Sequence, residues 1–419
     1  MGAWHVAIEG VATGPLSESD VAELVGAGRA NATSLVWRKG MAEWQPLGVA
    51  LPDLLAVSAA PPPLPPSQPS TPAKPVRSSS LADRVADLAR VERLEGFSLR
   101  ELLSDVFKPH SSDEIERHMA IGLAETTPPL ADVAPGWPKP WLFVRLFSGT
   151  VLLFVGFLFL LKHYSNPLLL PALLAVGSLA APAAIMLFFF EMNSPRNVSL
   201  HLVLKLASVG GLVSIGLSLA LFDLTRDLKW IGPPLAGLIE EIGKLLTVSL
   251  LTRSLAPQRY PFILNGMLFG AAVGAGFAAF ESAGYAFVVL IGGGGVQGAT
   301  DTILVRGMLS PFAHVVWTAL TAGALYRAKL DAKLQFGMLT NPRVLHMLLW
   351  AIGLHAVWNF GLINPPFFIK YWILGFIAWV LVLSMLQTGY KQVKLAQLSA
   401  AEGGELLSGT TTRLRQVSL

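Results

Sequence analysis

Apolar residues gather into long runs along the C-terminal two thirds of the chain: Trp141 to Leu161, Leu168 to Phe190, Leu202 to Phe222, Pro233 to Thr252, Phe262 to Ile291, Thr302 to Tyr326, Leu345 to Ile363 and Phe367 to Leu386. A helix needs about 20 apolar residues to cross the hydrocarbon of a bilayer, so the pattern predicts about eight spanning helices. The range is seven to nine, because the glycine-rich fifth run is long enough to tilt or break. No internal repeat is visible, which weakens a transporter built from inverted halves. Residues 81 to 125 differ. Leu81, Val85, Leu88, Val91 and Leu94, then Leu99, Leu102, Leu103, Val106 and Phe107, mix with charges at helical spacing. They predict two short amphipathic helices on the membrane or on the protein's own cytoplasmic face.

Residues 1 to 50 read as a small soluble module. β-prone pieces at Trp4 to Ile8 and Ser34 to Arg38 flank a helix from Ser17 to Gly28, started by the Gly14-Pro15 break and a Ser17 cap and stopped by Gly28. The run Pro61-Pro62-Pro63-Leu64-Pro65-Pro66 makes residues 51–80 an extended spacer, or an internal ligand for the module before it. The expected class is an all-α polytopic membrane protein with a small α+β N-terminal soluble domain. Its parts are residues 1–50, a linker 51–80, amphipathic helices 81–138, a transmembrane domain 139–388 and a cytoplasmic tail 389–419.

Composition agrees. With 53% hydrophobic and 14% charged residues among 419, and a mean hydropathy of +0.55, the chain is too apolar for a soluble globular protein. The cysteine count of 0 removes disulfides, cysteine-ligated zinc and thiol nucleophiles. The net charge of +4 needs no nucleic-acid partner, because the basic residues gather in the loops and tail. Arg196, Arg253, Arg259, Arg327, Lys329, Lys333, Arg343, Lys391 and Lys394 fall on one side of an eight-span arrangement, and only Lys162, Arg226 and Lys229 on the other. The start lacks a basic segment followed by an apolar one. Both observations predict cytoplasmic termini.

The fourth run contains Glu240-Glu241-x-x-Lys244. A charge at the bilayer centre costs from about 2.5 to well over 10 kcal/mol, so such residues mark function. At a rise of about 1.5 Å per residue, Glu240, Glu241, Glu281, His314, His355 and Asn359 all fall roughly 6 to 18 Å below the outer surface. Four helices with polar groups at one level imply a single water-containing cavity. Glu240 and Lys244 are four apart, an ion-pairing arrangement. Glu241 is turned about 100° away, so one carboxylate can be held by Lys244 while its neighbour acts as a base on water. His355 and Asn359, also four apart, address one substrate carbonyl. Each residue has a plainer role: His314 as an interhelical hydrogen bonder, the glycines as packing contacts and Glu281 as the cap of a kink. Lys205 and His201 read as snorkelling residues, and Arg306 and Lys370 as interface anchors. A proton or ion pathway would use the same Glu/His cluster, but the inner halves of these helices are nearly free of ionisable groups, which favours hydrolysis. A non-catalytic sensor is a third class.

Trp4, Val36-Trp37, Gly40-Met41 and Trp44 together resemble the bacterial GYF-like domain over about 45 residues, although the Gly-Tyr-Phe tripeptide is missing. That resemblance implies a proline-rich peptide as partner, with a scaffold role as the alternative. Glu240-Glu241-x-x-Lys244, Phe277-x-x-x-Glu281 with Tyr285, His314 in Pro-Phe-Ala-His, and His355-x-x-x-Asn359 occur in that order and resemble the PrsW family of intramembrane proteases, a branch of the group containing the CAAX-prenyl proteases. The resemblance spans about residues 200 to 365. It implies cleavage of a single-span membrane protein of the anti-sigma-factor kind in a bacterial cytoplasmic membrane. Glu240 and Glu241 would be the catalytic pair, completed by Glu281, His314, His355 and Asn359 and supported by Lys244, Phe277 and Tyr285. In the CAAX branch a histidine stands at the position of Glu281, so zinc ligation does not carry over. Two mechanisms stay open. In one, a glutamate activates water and His355 with Asn359 stabilises the oxyanion. In the other, His314, His355 and a carboxylate such as Glu281 hold Zn2+. No His-Glu-x-x-His motif is present, and the balance tilts toward metal-free glutamate chemistry.

Overall fold

The computed structural model describes residues 3–8, 10–56, 80–134, 136–361 and 369–401. It divides into two units, residues 1–78 and 79–419. The first is built on strands β1 (Trp4–Ile8), β2 (Val11–Leu16), β3 (Leu35–Arg38) and β4 (Gln45–Pro46) with helix α1 (Glu18–Gly26), closed by α2 (Leu47–Ala50) and α3 (Pro52–Ala56). The antiparallel sheet runs in the order β2-β1-β3-β4. Ser17 caps α1 as expected: its hydroxyl accepts from Asp20 N at 3.2 Å, and Asp20 accepts from Ser17 N at 2.8 Å. Gly28, at φ +70, turns the chain away from the helix end in a conformation that suits glycine. Trp4, Val6, Val21, Val36 and Leu47 form the core. The Gly14-Pro15 pair lies inside β2 rather than in a turn. β2 is an edge strand, where a residue without an N–H costs no ladder bond. The expected proline-rich spacer falls almost wholly outside the described residues.

The second unit begins with α4 (Leu81–Leu88), α5 (Leu99–Leu102) and α6 (Ser112–Met119). Two amphipathic helices were expected here. The second of them stops after one turn at Leu102, and α6 follows, with a Ser111–Glu114 capping box. The segment packs on the protein itself. Ala89, Leu102, Ile121 and Val133 join the main core. Glu95 N donates to Gln387 Oε1 at 2.9 Å, and Gln397 donates to the Leu130 and Val133 carbonyls, each at 2.8 Å.

Nine helices follow among the described residues: α7 (Leu142–Tyr164), α8 (Leu170–Met192), α9 (Leu200–Leu224), α10 (Leu235–Thr252), α11 (Ile263–Val289), α12 (Gly295–Leu309), α13 (His314–Lys329), α14 (Pro342–Asn359) and α15 (Ile369–Ala401). Five stretches are long and apolar enough to cross a membrane: Leu142–Tyr164, Pro167–Met192, Leu200–Leu224, the run Ile263–Lys329 and Ile369–Ala401. The chain is a polytopic membrane protein with a small soluble domain. The sixth apolar run, expected as one helix from Thr302 to Tyr326, is two helices. They are separated by the turn Ser310–Phe312, where Pro311 cannot continue an α-helical ladder. The fifth run ends at Leu290–Gly294, with Gly293 at φ +99. α15 runs past residue 388 to Ala401, so the expected tail begins as helix.

α11 is the centre of the bundle, packed against α8, α9 and α13. Gly266, Gly270 and Gly274 recur every four residues on the face toward α13, which lets the two backbones approach closely. A Cβ on Gly274 would stand 2.6 Å from the His314 carbonyl oxygen. Of the readings open for these glycines, helix packing is the one observed.

Candidate active site

Four helices converge on one cluster. α10 turns Glu241 and Lys244 fully into the protein, both 0% exposed, and Glu240 toward a cavity. Gly237 sets this packing, because a Cβ there would meet Ala356 N of α14 at 2.7 Å. α14 supplies His355 and, as its last residue, Asn359. α13 begins at His314, so the Pro311-Phe312-Ala313-His314 motif is the break that starts a helix. α15 holds that break: Trp379 Nε1 donates to the Pro311 carbonyl at 2.9 Å, and Trp372 lies against Phe312 with ring centroids 5.0 Å apart. α11 supplies Phe277, Glu281 and Tyr285.

A chain of contacts links these helices. Lys244 Nζ donates to Glu241 Oε1 at 2.6 Å and lies 2.9 Å from His314 Nδ1. An ammonium has only donors, so Nδ1 accepts and the His314 proton sits on Nε2, 2.9 Å from Glu281 Oε2. Glu281 also pairs with Arg306, whose Nε donates to Ser282 Oγ at 2.9 Å. On the other side, His355 Nδ1 lies 2.8 Å from Glu241 Oε1 and donates to it, which leaves a lone pair on Nε2. That Nε2 is 3.8 Å from Glu240 Oε2, a buried oxygen without a hydrogen-bond partner. Phe277 lies beneath Lys244, whose Nζ is 4.6 Å from the ring centroid, and the Trp317 ring lies tilted against His355 with centroids 4.7 Å apart.

The cavity holds about 220 Å³ and is lined by Glu240, Glu281, Arg306, His314, His355 and Asn359, with Tyr285 at its side. Glu241, Lys244 and Phe277 stand behind it. Three relationships differ from the sequence reading. Lys244 pairs with Glu241, three residues back, and not with Glu240: both spacings share a helix face, but Glu240 lines the cavity while Glu241 stands behind it with Lys244. Arg306 is not an interface anchor: the break at Pro311 puts it in the last turn of α12, aimed at Glu281. Lys370 is likewise not an anchor. It is 5% exposed and donates to the Trp358 and Phe360 carbonyls at 2.9 and 3.2 Å, capping α14 beside Asn359. Ser282 and Trp317 were missed altogether. The signal for Arg306 was present, as an arginine inside an apolar run is costly.

Ligand atoms of Glu240, His314 and His355 lie within 4.8 Å of one another. Two imidazoles and one carboxylate form a common catalytic zinc set. The unpartnered Glu240 oxygen and the free His355 Nε2, with Nδ1 tied to a carboxylate, are the pattern of metal-binding groups and their orienting partners. The residues therefore fit a divalent ion, with Glu240 rather than Glu281 as the carboxylate. His314 already carries two hydrogen bonds, so its bonding would have to change.

Residues 198–386 match the model of the family described as PrsW family intramembrane metalloprotease, and residues 4–50 match GYF domain 2. No curated protein and no solved structure matches the chain.

Proposed function

We propose that the chain is an intramembrane protease of the PrsW family, whose model residues 198–386 match, and that Glu240 takes the proton from the water that attacks a peptide bond. The observation that carries this is the buried, unpartnered Glu240 Oε2 on the cavity wall, 3.8 Å from the lone pair of His355 Nε2. Water between these two groups loses a proton to Glu240 as its oxygen adds to the scissile carbonyl carbon. Asn359 and Arg306, both lining the cavity, offer N–H donors to the developing oxyanion. Glu240 then returns the proton to the leaving nitrogen as the C–N bond breaks. Glu241 holds His355 in its Nδ1-protonated form and is itself held by Lys244. In a metal-assisted alternative, Glu240, His314 and His355 would instead hold a divalent metal such as Zn2+, whose chemistry is to polarise the carbonyl and acidify water.

The substrate in this reading is a single-span membrane protein of the anti-sigma-factor kind, in a bacterial cytoplasmic membrane with both termini of the protease inside. The loop charges support that orientation. Residues 4–50 would take a proline-rich peptide, for which Trp44, 37% exposed, offers an aromatic surface. Reconstitution with a candidate single-span substrate tests the assignment. Glu240→Gln, Glu241→Gln and His355→Ala are each expected to stop cleavage, and cleavage retained in all three would sink it. Metal analysis with a chelator challenge separates the metal-assisted from the metal-free form.

A further inference from the structure

We infer that a second cavity, at the opposite ends of α13 and α14 from His314 and His355, binds a phosphate-bearing anion. It holds about 390 Å³ and lies between α13, α14, α15 and the chain following α4. Arg90, Arg327, Arg343 and His346 line it, against one carboxylate, Glu92. That carboxylate is already engaged: its Oε2 pairs with Lys391 at 3.0 Å and accepts from Gln387 at 3.4 Å. Among the described residues, Arg327 has no hydrogen bond or ion pair, although it is half-buried at the end of a spanning run. Arg90 is held at φ +52, a backbone conformation that costs a non-glycine residue energy. His346 Nε2 donates to the Ala89 carbonyl at 2.7 Å, which ties the Arg90 segment to α14.

Arg343 has an interaction of its own, whereas the guanidiniums of Arg90 and Arg327 face the same cavity and repel each other, and a phosphate relieves that repulsion with the geometry guanidinium favours. Beside Ser384 and Thr388 the remaining wall is apolar, with Val91, Ala324, Met347 and Met385. A phosphate attached to a hydrocarbon body therefore suits the cavity. Two sources share this chemistry, an anionic phospholipid headgroup at the basic membrane face and a soluble phosphate.

The test uses the full chain in nanodiscs of phosphatidylcholine doped with phosphatidylglycerol, with retained lipid counted by native mass spectrometry. A parallel arm follows the melting temperature in undoped nanodiscs as inorganic phosphate is added. The anionic lipid should be enriched about tenfold over its share of the disc. Arg90→Gln with Arg327→Gln should abolish the enrichment, and Arg90→Lys with Arg327→Lys should keep most of it. Enrichment without a phosphate effect assigns the lipid. A phosphate-induced rise in melting temperature, lost in the glutamine pair, without lipid enrichment assigns a soluble phosphate. Both effects together support the anion site itself. Neither enrichment nor a melting shift in the wild-type chain overturns the proposal, whatever the variants do.

Discussion

Lys244 gives its shortest contact to Glu241, at 2.6 Å, and the second short one, at 2.9 Å, goes to His314 on another helix. Lys244 and Glu241 are both 0% exposed, so removing one leaves the other as an uncompensated buried charge. Lys244→Met should destabilise the protein by about 3–5 kcal/mol. Adding Glu241→Gln should recover most of that loss without restoring cleavage. Thermal unfolding of the two single variants and the double variant checks this. Additive losses would mean that the pair is not the unit described.

Lys370 holds the C-terminal carbonyls of α14 at Trp358 and Phe360. Asn359 lies between them on the cavity wall. Lys370→Met should lower kcat/KM about tenfold, by analogy with the loss of a group that orients a site residue. Hydrogen exchange should rise in the last turn of α14. Unchanged kinetics would leave the lysine a purely structural role.

A Cβ on Gly274 would stand too close to the His314 carbonyl for any side chain, whereas a Cβ on Gly216 would point into open space. Gly274→Val should cost about 1–3 kcal/mol by overpacking and displace His314, which removes cleavage. Gly216→Val should stay within about 0.5 kcal/mol of wild type, as a surface change. Melting and cleavage measured on both variants test the α11–α13 contact.

Much of this was legible in the chain, and the failures have physical causes. The apolar runs gave the membrane helices, because span length is fixed by the bilayer. They could not show that Pro311 splits the sixth run, since periodicity does not report a one-turn break. That split moved Arg306 from a supposed anchor to the partner of Glu281. The Glu240-Glu241 pair marked the site by its cost alone. Which glutamate Lys244 holds was not legible, because i+3 and i+4 partners lie on one helix face and the choice depends on which stripe meets α13 and α14. α6 went unseen because it buries none of its residues, although its capping box was written in the sequence.

The capping carboxylates outside the membrane give a pH dependence. The backbone N–H and then the hydroxyl of Ser80 hold Asp83 below its ordinary pKa, and the Ser111 backbone N–H does the same for Glu114. A lowered folded-state value means stability that is complete above the ordinary carboxylate range, about 4, and is lost as pH falls through the folded value. Amide exchange in α4 and α6 should therefore quicken below about pH 4, relative to the intrinsic rate. Asp83→Asn should weaken that dependence in α4, where Asp87, held below its ordinary value by Arg93, supplies the rest.

Glu240, and not Glu241, handles the water in the proposed reaction. Single-turnover cleavage of a reconstituted single-span substrate by Glu240→Gln tests it most directly, read beside the melting temperature of the same sample. The rate should fall by about 10²–10⁴ with melting near that of wild type, because Glu240 Oε2 has no hydrogen bond to lose among the described residues. Cleavage by Glu240→Gln within a few-fold of wild type would contradict it.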